Sequence, residues 1–223
     1  SHDLRTPLVS ATGFLELLSD GDAGELNDEQ RRYVGFVQRA SDRLLRQIED
    51  LLVAASLQAG RFTLDREQID LSDIAEESVE GQRAVAAAKG VELRLTVTPA
   101  PRVNADAVRL AQVVDNLLSN AIKFTPKGGD VEVRIFGKEE HAILEVSDSG
   151  IGIPDAEQTA LFERFFRTSN AVERRIPGTG LGLYIVKSLI EAHGGVITLR
   201  SSAGEGTTFR VELPAATQPA SGR

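Results

Sequence analysis

The sequence predicts an N-terminal α-helical hairpin that dimerises into a four-helix bundle, followed by an α+β two-layer sandwich with helices on one face of a mixed sheet. Residues 1–61 carry apolar side chains at helical spacing in two consecutive runs, which is typical of helices that pack along their length. Residues 62–214 instead combine strand patterns, capped helices and adjacent hairpins, which indicates separate layers. Residues 215–223 are expected to be a disordered tail.

The first domain begins with a heptad-like run. Its apolar residues have spacings of 4, 3, 4 and 3, at Leu4, Leu8, Ala11, Leu15 and Leu18. The segment SDGDAGELN breaks this pattern, and Asn27 with Gln30 then gives a capping-box-like start to a second helix, which Gly60 ends. A two-helix hairpin has little core of its own, so a dimeric four-helix bundle is the economical way to bury both apolar faces. The alternative is a hairpin that folds back onto the second domain.

The second domain combines six predicted strands with three predicted helices. RFTLDREQIDL is a predicted strand, Ser72 is the expected N-cap of the helix after it, and VELRLTV alternates as a strand. Asp106 should cap a helix to about Lys123, before the strands DVEVRIF and AILEVSD. LGLYIVKSLIEAHGG predicts the last helix, in which we expect His193 to be a favourable positive charge at the C-terminal end. VITLRS and TTFRVELP predict a closing hairpin.

The composition narrows the classes of function. A formal net charge of −8 argues against nucleic-acid binding, because duplex binding draws its affinity from cations that neutralise phosphates. The absence of cysteine excludes disulfides and thiolate metal sites and fits a reducing compartment. No run is long enough for a transmembrane helix and no signal peptide is visible, so we expect a cytoplasmic location without membrane contact. Methionine is absent, so we interpret the chain as a fragment of a longer protein.

Two glycine-rich motifs flank a long irregular stretch. DSGIGIP covers residues 148–154 and GTGLGL covers residues 178–183. Glycine clusters let the backbone approach a ligand closely and point N–H groups at phosphate oxygens, most effectively at the start of a helix. The P-loop pattern is absent, GTGLGL lacks the third glycine of the Rossmann fingerprint, and the protein-kinase pair of H-R-D and D-F-G is absent.

A third element, DNLLSNAIKFT, lies on the second predicted helix of this domain. Asn116 and Asn120 are four residues apart and Lys123 follows three later, so one helix face carries two amides and a cation. An asparagine carbonyl is an oxygen ligand of the kind that Mg²⁺ prefers, and a lysine beside it would neutralise phosphate charge. The alternative is a pair of solvated asparagines on a surface helix.

A fourth element, ALFERFFR, lies inside the irregular stretch. Its apolar residues have helical spacing, which favours a stripe packed into the core, at Leu161, Phe162, Phe165 and Phe166. Arg167 ends this stripe within a glycine-bounded loop at residues 151–178, and loops of that length are usually functional or disordered. Arg167 is therefore a candidate functional residue.

The chain opens with SHDLRTPL, which contains one of its three histidines. By itself this segment is typical of a helix start, with Thr6 as the N-cap and Pro7 as the first helical residue. His2 would then be a solvated residue at a frayed end. The alternative, a functional His2, depends on the motifs that follow.

In this order, the elements resemble the sensor histidine kinases of two-component signalling over essentially the whole chain. HDLRTP resembles the H box, NLLSNAIKFT the N box, DSGIGIP the G1 box, FERFFR the F box and GTGLGL the G2 box, and GEGTTFRVELP resembles the closing hairpin of the catalytic domain. The resemblance implies a homodimeric phosphoacceptor hairpin and a GHKL-type ATP-binding domain with a lid at about residues 151–178. It also implies a full-length protein anchored in the cell membrane by upstream segments.

The resemblance implies the reaction as well. The γ-phosphoryl group of ATP moves to His2 and from there to an aspartate of a response-regulator receiver domain. Asp3 orients the imidazole and takes its proton, and Thr6 places water for a phosphatase activity toward the regulator. Pro7 within a continued helix would kink the axis beside the acceptor.

The resemblance also supplies the nucleotide site. Asp148 is implied to accept from the adenine amino group, Gly150 and Gly152 to let the base lie close, and Asn120 to hold Mg²⁺. Arg167 is a candidate for contact with the transferring phosphoryl group. The resemblance also places Asn116 and Lys123 near the phosphates, Phe124 near the nucleotide and Thr208 in the base pocket. The residues implied to surround the polyphosphate are Gly178, Thr179, Gly180, Leu181, Gly182 and Leu183.

One position separates a kinase from an ATPase. Related GHKL ATPases of the gyrase, MutL and heat-shock chaperone types carry a glutamate where Asn116 stands, and that glutamate is the base for the attacking water. An amide cannot take a proton at neutral pH, so Asn116 suppresses hydrolysis and leaves histidine as the nucleophile. A GHKL ATPase and a pseudokinase that senses nucleotide and scaffolds a partner are the alternatives to the kinase.

Overall fold

The computed structural model describes residues 2–22, 24–60 and 62–216, with side chains from Thr6 onward. The chain divides into two compact units, Ser1–Phe62 and Thr63–Arg223. Within the described ranges, none of the helices combines the length and the apolar character that crossing a bilayer requires.

The first unit is a hairpin of α1 (His2–Asp20) and α2 (Asp28–Gln58), which pack against each other. Helix α2 starts with the predicted capping box. The side chain of Asn27 accepts from the backbone N–H of Gln30 at 2.8 Å, and the Gln30 side chain accepts from the N–H of Asn27 at 2.9 Å. Helix α1 contains Pro7 in its interior, so the interpretation of Thr6 as an N-cap is wrong. Positions 2 and 6 therefore lie one turn apart on a continuous helix.

The second unit is an α+β two-layer sandwich, as the sequence predicts. Among its described residues, three longer helices and two short ones accompany seven strands. In chain order the elements are β1 (Glu67–Ile69), α3 (Leu71–Lys89), β2 (Glu92–Val97), β3 (Val103–Ala105), α4 (Ala107–Phe124), β4 (Asp130–Lys138), β5 (His141–Asp148), α5 (Asp155–Gln158), α6 (Ser169–Glu173), α7 (Gly182–Ala192), β6 (Val196–Ser202) and β7 (Gly206–Pro214).

The main sheet has the strand order β2-β4-β5-β7-β6. Strands β2 and β4 are parallel and the other neighbours are antiparallel, so the sheet is mixed. One face is apolar and packs against the three longer helices, and its residues Val131, Val133 and Val146 are at most 1% exposed. The prediction of helices on one face of a mixed sheet is confirmed.

The opposite face of the sheet carries a row of ion pairs. Arg134, Glu145 and Arg210 lie opposite one another in the register of β4, β5 and β7. Both arginines pair with the Glu145 carboxylate, the second through Arg210 Nη1 at 3.2 Å. The Glu145 side chain is only 2% exposed, so its charge depends on these two partners.

Several predicted elements need correction. The first strand is limited to β1, and Asp70 rather than Ser72 is the N-cap of α3, because the Asp70 side chain accepts from both the N–H and the hydroxyl of Ser72. Strand β3, absent from the prediction, pairs with β1 and, through Val103, with Ala215. Residue 215 is therefore attached to the sandwich rather than part of a disordered tail, and residues 217–223 lie outside the described part of the chain.

Candidate functional site

Helices α4 and α7, which carry two of the predicted motifs, pack against each other. The Nδ2 of Asn116 donates to the carbonyl of Gln112 at 3.0 Å, which fixes the orientation of the amide. Its Oδ1 lies 3.0 Å from the point that a Cβ on Gly182 would occupy. A side chain at the first residue of α7 would press on this amide, so the glycine lets the helix start approach Asn116 closely.

Asn120 and Lys123 form a bonded pair further along α4. The Lys123 Nζ donates to Asn120 Oδ1 at 2.9 Å and lies 4.5 Å from the centre of the Phe124 ring. Burial, followed by the positive charges of Arg167 and Lys89, lowers the pKa of Lys123 to about 8. The site therefore holds a partly buried cation whose charge an anionic ligand would stabilise.

The candidate base pocket lies at the end of β5, where Asp148 is the last strand residue. Its Oδ1 accepts from the N–H of Gly150 at 2.8 Å, and the backbone N–H of Thr207 also donates to the carboxylate. Burial outweighs these bonds and raises the pKa of Asp148 to about 6. When ionised, the carboxylate is an acceptor for an amino group of a ligand.

Glycines after β5 bring the chain close to this carboxylate. A Cβ on Gly150 would lie 2.5 Å from Asp148 Oδ1 and 2.8 Å from the carbonyl oxygen of Phe124. Gly152 has a φ of +61°, and a Cβ there would overlap the carbonyl oxygen of Ser202. Side chains are therefore costly at both positions, and at Gly152 the backbone conformation adds to the cost.

Thr208 does not face the candidate base pocket. Its hydroxyl bonds to that of Ser147 at 3.0 Å, on the sheet face opposite the helices. Successive strand residues point to opposite faces, and the register partner of Asp148 is Thr207. The prediction of Thr208 is wrong, and Thr207 takes its place, with its hydroxyl 2.9 Å from that of Ser201. The alternation of β7 was the signal that could have separated the two threonines.

Residues 151–178, the expected lid, are mostly turns around the short helices α5 and α6. The helical spacing predicted for ALFERFFR is wrong, because Phe165 adopts a φ of +61° in a turn and is 64% exposed, whereas Leu161 is buried as predicted. Phe162 packs edge-on against Phe209 of β7. The guanidinium of Arg167 donates to the carbonyl of Ile176 in the same segment. This segment therefore has an internal hydrogen bond that holds Arg167.

The loop into α7 consists of Gly178, Thr179, Gly180 and Leu181, with Gly182 and Leu183 in the first turn. The Thr179 hydroxyl accepts from the N–H of Leu181 at 3.3 Å, and Leu181 is buried. The carbonyl of Gly180 accepts from the N–H of Phe165 at 2.9 Å. This bond connects the G2-like loop to the F-like segment, two motifs that are separate in the sequence.

A cavity of about 490 Å³ lies beside Lys123. It is lined partly by basic residues that the sequence analysis did not single out, Lys89, Arg174 and Arg175. Lys89 Nζ donates to two carbonyl oxygens at the C-terminal end of α4, at 2.6 and 2.7 Å. Positive charge therefore gathers at this end of the site, where it favours phosphate groups. In the sequence, the two adjacent arginines after Glu173 were the signal that could have indicated this positive charge.

Asn120 is the residue that could contribute to a metal site. Among the described residues, no group of three or more His, Cys, Asp or Glu side chains could hold a metal ion. The Asn120 amide oxygen fits Mg²⁺, which takes few protein ligands and completes its shell with water and phosphate oxygens. Because Lys123 bonds to that oxygen here, the lysine would have to move when the ion binds.

The residues of the H-like motif lie in α1. His2 and Asp3 are in its first turn, and their side chains are outside the described part of the structure. Thr6 is exposed, and its carbonyl accepts from the Ser10 hydroxyl at 3.1 Å. Residues four apart share a helix face, so Thr6 lies on the face of position 2.

His193 is not the charged helix end that we expected. It is 3% exposed, and burial lowers the pKa of its imidazole, so the ring is neutral at pH 7. The prediction of a favourable positive charge at this end of α7 is wrong, because the ring is enclosed by the fold rather than solvated.

Two family models match the chain. Residues 1–60 match the His Kinase A (phospho-acceptor) domain. Residues 105–217 match the histidine kinase-, DNA gyrase B- and HSP90-like ATPase. The first match covers the hairpin, and the second covers the part of the sandwich that contains every nucleotide-binding residue predicted from the sequence.

Relatives and solved structures extend these matches. The circadian input-output histidine kinase CikA of Synechococcus elongatus is 38% identical over 96% of this chain, and the sensor histidine kinase WalK of Bacillus subtilis is 35% identical over 96%. The chain spans only 29% and 35% of the length of these two proteins.

Structures of two kinases superpose on it. Full-length ShkA in complex with AMPPNP is 32% identical with a TM-score of 0.80, over 98% of this chain and 45% of that chain. The mycobacterial sensor histidine kinase MprB is 36% identical with a TM-score of 0.59, over 67% of this chain and 97% of that chain. Matched by both family models and by these relatives, the chain belongs to the sensor histidine kinases and contains their phospho-acceptor and ATP-binding domains.

Proposed function

We propose that this chain transfers the γ-phosphoryl group of ATP to His2 and from there to an aspartate of a response-regulator receiver domain. The observation that carries the proposal is the convergence of three features in the second unit: the carboxylate of Asp148, the Asn120–Lys123 pair and the glycine start of α7. The N–H of Ile151 donates to the carbonyl of Phe124 at 3.3 Å, which joins the base pocket to the cationic end of α4. An amino-group acceptor, cations and a helix N-terminus together suit an adenine nucleotide.

His2 is the proposed nucleophile. A neutral imidazole offers a lone pair on one of its ring nitrogens, which makes histidine suitable as a nucleophile. A ring nitrogen attacks the γ-phosphorus, the bond to the β,γ-bridging oxygen breaks, and ADP leaves. The ring proton passes to Asp3, the neighbouring residue in the first turn of α1. A phosphoramidate on His2 then donates its phosphoryl group to the regulator's carboxylate.

Asn116 explains why transfer to histidine would exceed hydrolysis. Its amide contacts the start of α7, close to where the polyphosphate would lie, but it cannot accept a proton from water. Phosphoryl transfer depends mainly on positioning and charge neutralisation, so a neutral amide is sufficient for the kinase reaction. An ATPase would need a base that this position does not supply.

Asn120 and Arg167 complete the proposed phosphate site. Bound Mg²⁺ would supply positive charge that neutralises the phosphates. Asn120 would hold the ion through its amide oxygen, and Lys123, released from that oxygen, would turn to the phosphates. Arg167 is close enough to Lys123 to lower its pKa, which supports a role for this lid residue at the transferring phosphoryl group.

A second copy of the chain is the proposed partner of the hairpin. In the single chain both helices expose large apolar side chains, among them Val9, Phe14, Leu17, Tyr33, Phe36, Val37, Leu44 and Leu51. A surface of this kind is typical of an interaction site, and a four-helix bundle would cover it. The receiver domain of a response regulator is the second proposed partner, and nucleic acid is not one.

Thr6 carries a proposed phosphatase activity. It is exposed on the face of α1 that position 2 shares, where its hydroxyl could place water against a phosphorylated regulator. Thr6→Ala should slow dephosphorylation of the cognate regulator and leave formation of phosphohistidine intact. An unchanged dephosphorylation rate in Thr6→Ala would remove this part of the proposal.

The domain limits and location are proposed as well. We place the phosphotransfer hairpin at residues 1–61 and the catalytic domain at 62–214, with the lid at about 151–178. The curated relatives are much longer than this chain, which supports a full-length protein with further segments. We propose that such segments anchor it in the cell membrane and leave this part in the cytoplasm.

The decisive experiment locates phosphate by mass spectrometry after incubation with Mg-ATP. We expect an acid-labile, alkali-stable phosphate on His2 that His2→Ala abolishes and the matched control His141→Ala retains. Label that persists in His2→Ala would contradict the proposal. ATP turnover far above phosphohistidine formation would favour the ATPase, and failure to bind ATP would favour the pseudokinase.

A further inference from the structure

His193 joins the far ends of the two helices that carry the nucleotide-binding motifs. Its Nδ1 donates to the carbonyl of Leu189 at 2.7 Å, and its Nε2 accepts from the backbone N–H of Asp106 at 3.0 Å. Both bonds require the neutral Nδ1–H tautomer. Burial lowers the pKa of the ring, which keeps this form at pH 7. The imidazole therefore connects the end of α7 to the N-cap of α4.

The first residues of the second unit form hydrogen bonds at the same ends of α4 and α7. Asp106 Oδ1 accepts from the N–H of Arg109 at 3.1 Å, as an N-cap does, and its Oδ2 accepts from the N–H of Asp65 at 3.1 Å. Arg66 Nη2 donates to the carbonyl of Ala192, at the end of α7, at 2.6 Å. Asp65 and Arg66 thus bind the ends of both helices soon after the unit begins at Thr63.

The proposed nucleotide site lies away from this contact, at the start of α7 and along the C-terminal half of α4. The start of α7 at Gly182 meets Asn116 of α4, and the end of α7 meets Asp106, so the helices run antiparallel. At a rise of about 1.5 Å per residue, the imidazole contact lies about 16 Å from the polyphosphate site. A change in spacing at the His193 end would tilt the two helices and alter the spacing between Asn116 and the loop into α7.

We propose that His193, Asp106 and the segment Asp65–Arg66 form a clamp that sets the spacing of α4 and α7 and thereby the affinity for ATP. His193 is a positioning residue in this clamp, since it acts on the nucleotide through two helices. The clamp makes nucleotide affinity depend on how the chain enters the catalytic unit. The inference rests on the proposed function only in naming ATP as the ligand.

The test uses the full chain and compares His193→Ala with His193→Gln. The alanine variant loses the acceptor for the Asp106 N–H, whereas the glutamine amide oxygen can replace Nε2. We expect His193→Ala to raise the Kd and KM for ATP about tenfold, the factor of one hydrogen bond, with kcat changed less than about twofold. His193→Gln should recover most of the affinity. His141→Gln, a histidine outside this cluster, is the matched control.

Asp65→Pro is the second variant, because it removes the N–H that binds Asp106 without changing either helix. We expect it to weaken ATP binding about threefold, less than the loss in His193→Ala, because this hydrogen bond reaches α4 only through the Asp106 side chain. Unchanged ATP affinity in folded His193→Ala, or equal loss in the alanine and glutamine variants, would overturn the clamp. If His193→Ala does not fold, unchanged affinity in Asp65→Pro would overturn it.

Hydrogen exchange separates the clamp from the proposed function. Backbone amides in the first turn of α7 should exchange faster in His193→Ala than in the parent chain, without any nucleotide, and His141→Ala should leave them unchanged. Unchanged exchange in His193→Ala would contradict the clamp. If the parent chain binds no ATP but His193→Ala still exchanges faster than the parent chain in the first turn of α7, the proposed function is refuted and the clamp is supported.

Discussion

ATP affinity should pass through a maximum between the pKa values of Asp148 and Lys123. Asp148 must be ionised to accept from an amino group, and burial raises its pKa to about 6, so affinity should fall as the pH drops below that value. Lys123 must be protonated to attract phosphates, and burial lowers its pKa to about 8, so affinity should fall as the pH rises above that value. The best binding is expected near pH 7.

The size of each decline follows from the fraction of the binding form. One pH unit below a pKa of about 6, roughly one carboxyl group in eleven is ionised, so at pH 5 affinity should be about tenfold below its maximum. At pH 9 about one Lys123 in eleven is protonated, which gives a similar loss. Both tenfold losses are calculated for ATP binding only to the ionised form of Asp148 and the protonated form of Lys123.

The assay is titration calorimetry of the full chain with ATP and Mg²⁺ from pH 5 to 9. The association constant of the parent chain is divided by that of a variant at the same pH. This ratio cancels the effects that protonation of the nucleotide and of His193 has on both proteins. Relative to Asp148→Asn, the parent should lose affinity on the acid side, and relative to Lys123→Arg, on the alkaline side, because arginine stays charged. Ratios that are flat over the whole range would refute the assignment of these two groups.

Three further predictions concern stability, measured by chemical unfolding. Gly152→Ala should lower the free energy of unfolding by about 2–4 kcal/mol, because the position has a positive φ and a Cβ there would overlap the backbone. Gly81→Ala, at an open helical position, should raise it by about 1 kcal/mol. Equal changes in the two variants would contradict the close approach of the chain at Gly152. Glu145→Ala should lose about 3 kcal/mol because it strips two arginines of a buried partner, and the exposed Glu80→Ala should change little. Asn27→Ala should cost about 1 kcal/mol through loss of the α2 cap, and no change would show that this end is frayed.

Local signals predicted the helix ends well. Asn27 and Asp106 were identified as N-caps because each places a side-chain acceptor just before an apolar run, where the first backbone N–H groups of a helix need one. Gly90 ends α3 with a φ of +72°, the left-handed conformation that glycine commonly adopts just after a helix. The same logic failed at Ser72, because Asp70 two residues earlier is an equally good acceptor and binds the serine itself. Adjacent capping residues cannot be ranked by type alone.

Features that depend on register or tertiary contact could not be predicted in this way. Thr207 and Thr208 are identical in type, and a shift of one residue in a strand moves a side chain to the other face of the sheet. The turn at Phe165 has a conformation that its sequence spacing does not encode. His193 looked like a helix end beside two glycines, and only the packing of α7 on α4 turns its ring into an acceptor.

The basic residues at the phosphate end bear on affinity in two ways. Arg167 and Lys89 each repel Lys123 in the ligand-free site, which contributes to its lowered pKa. A polyphosphate removes that repulsion, so its binding favours the protonated lysine and should draw in a fraction of a proton near pH 8. At the proposed phosphate site Arg167 would therefore have two opposed effects: its own charge would attract phosphate, whereas its repulsion of Lys123 leaves less of that lysine protonated before the nucleotide binds. A chain with a net charge of −8 nevertheless presents a positive pocket, because four basic residues and, among the described residues, no acidic residue line this cavity.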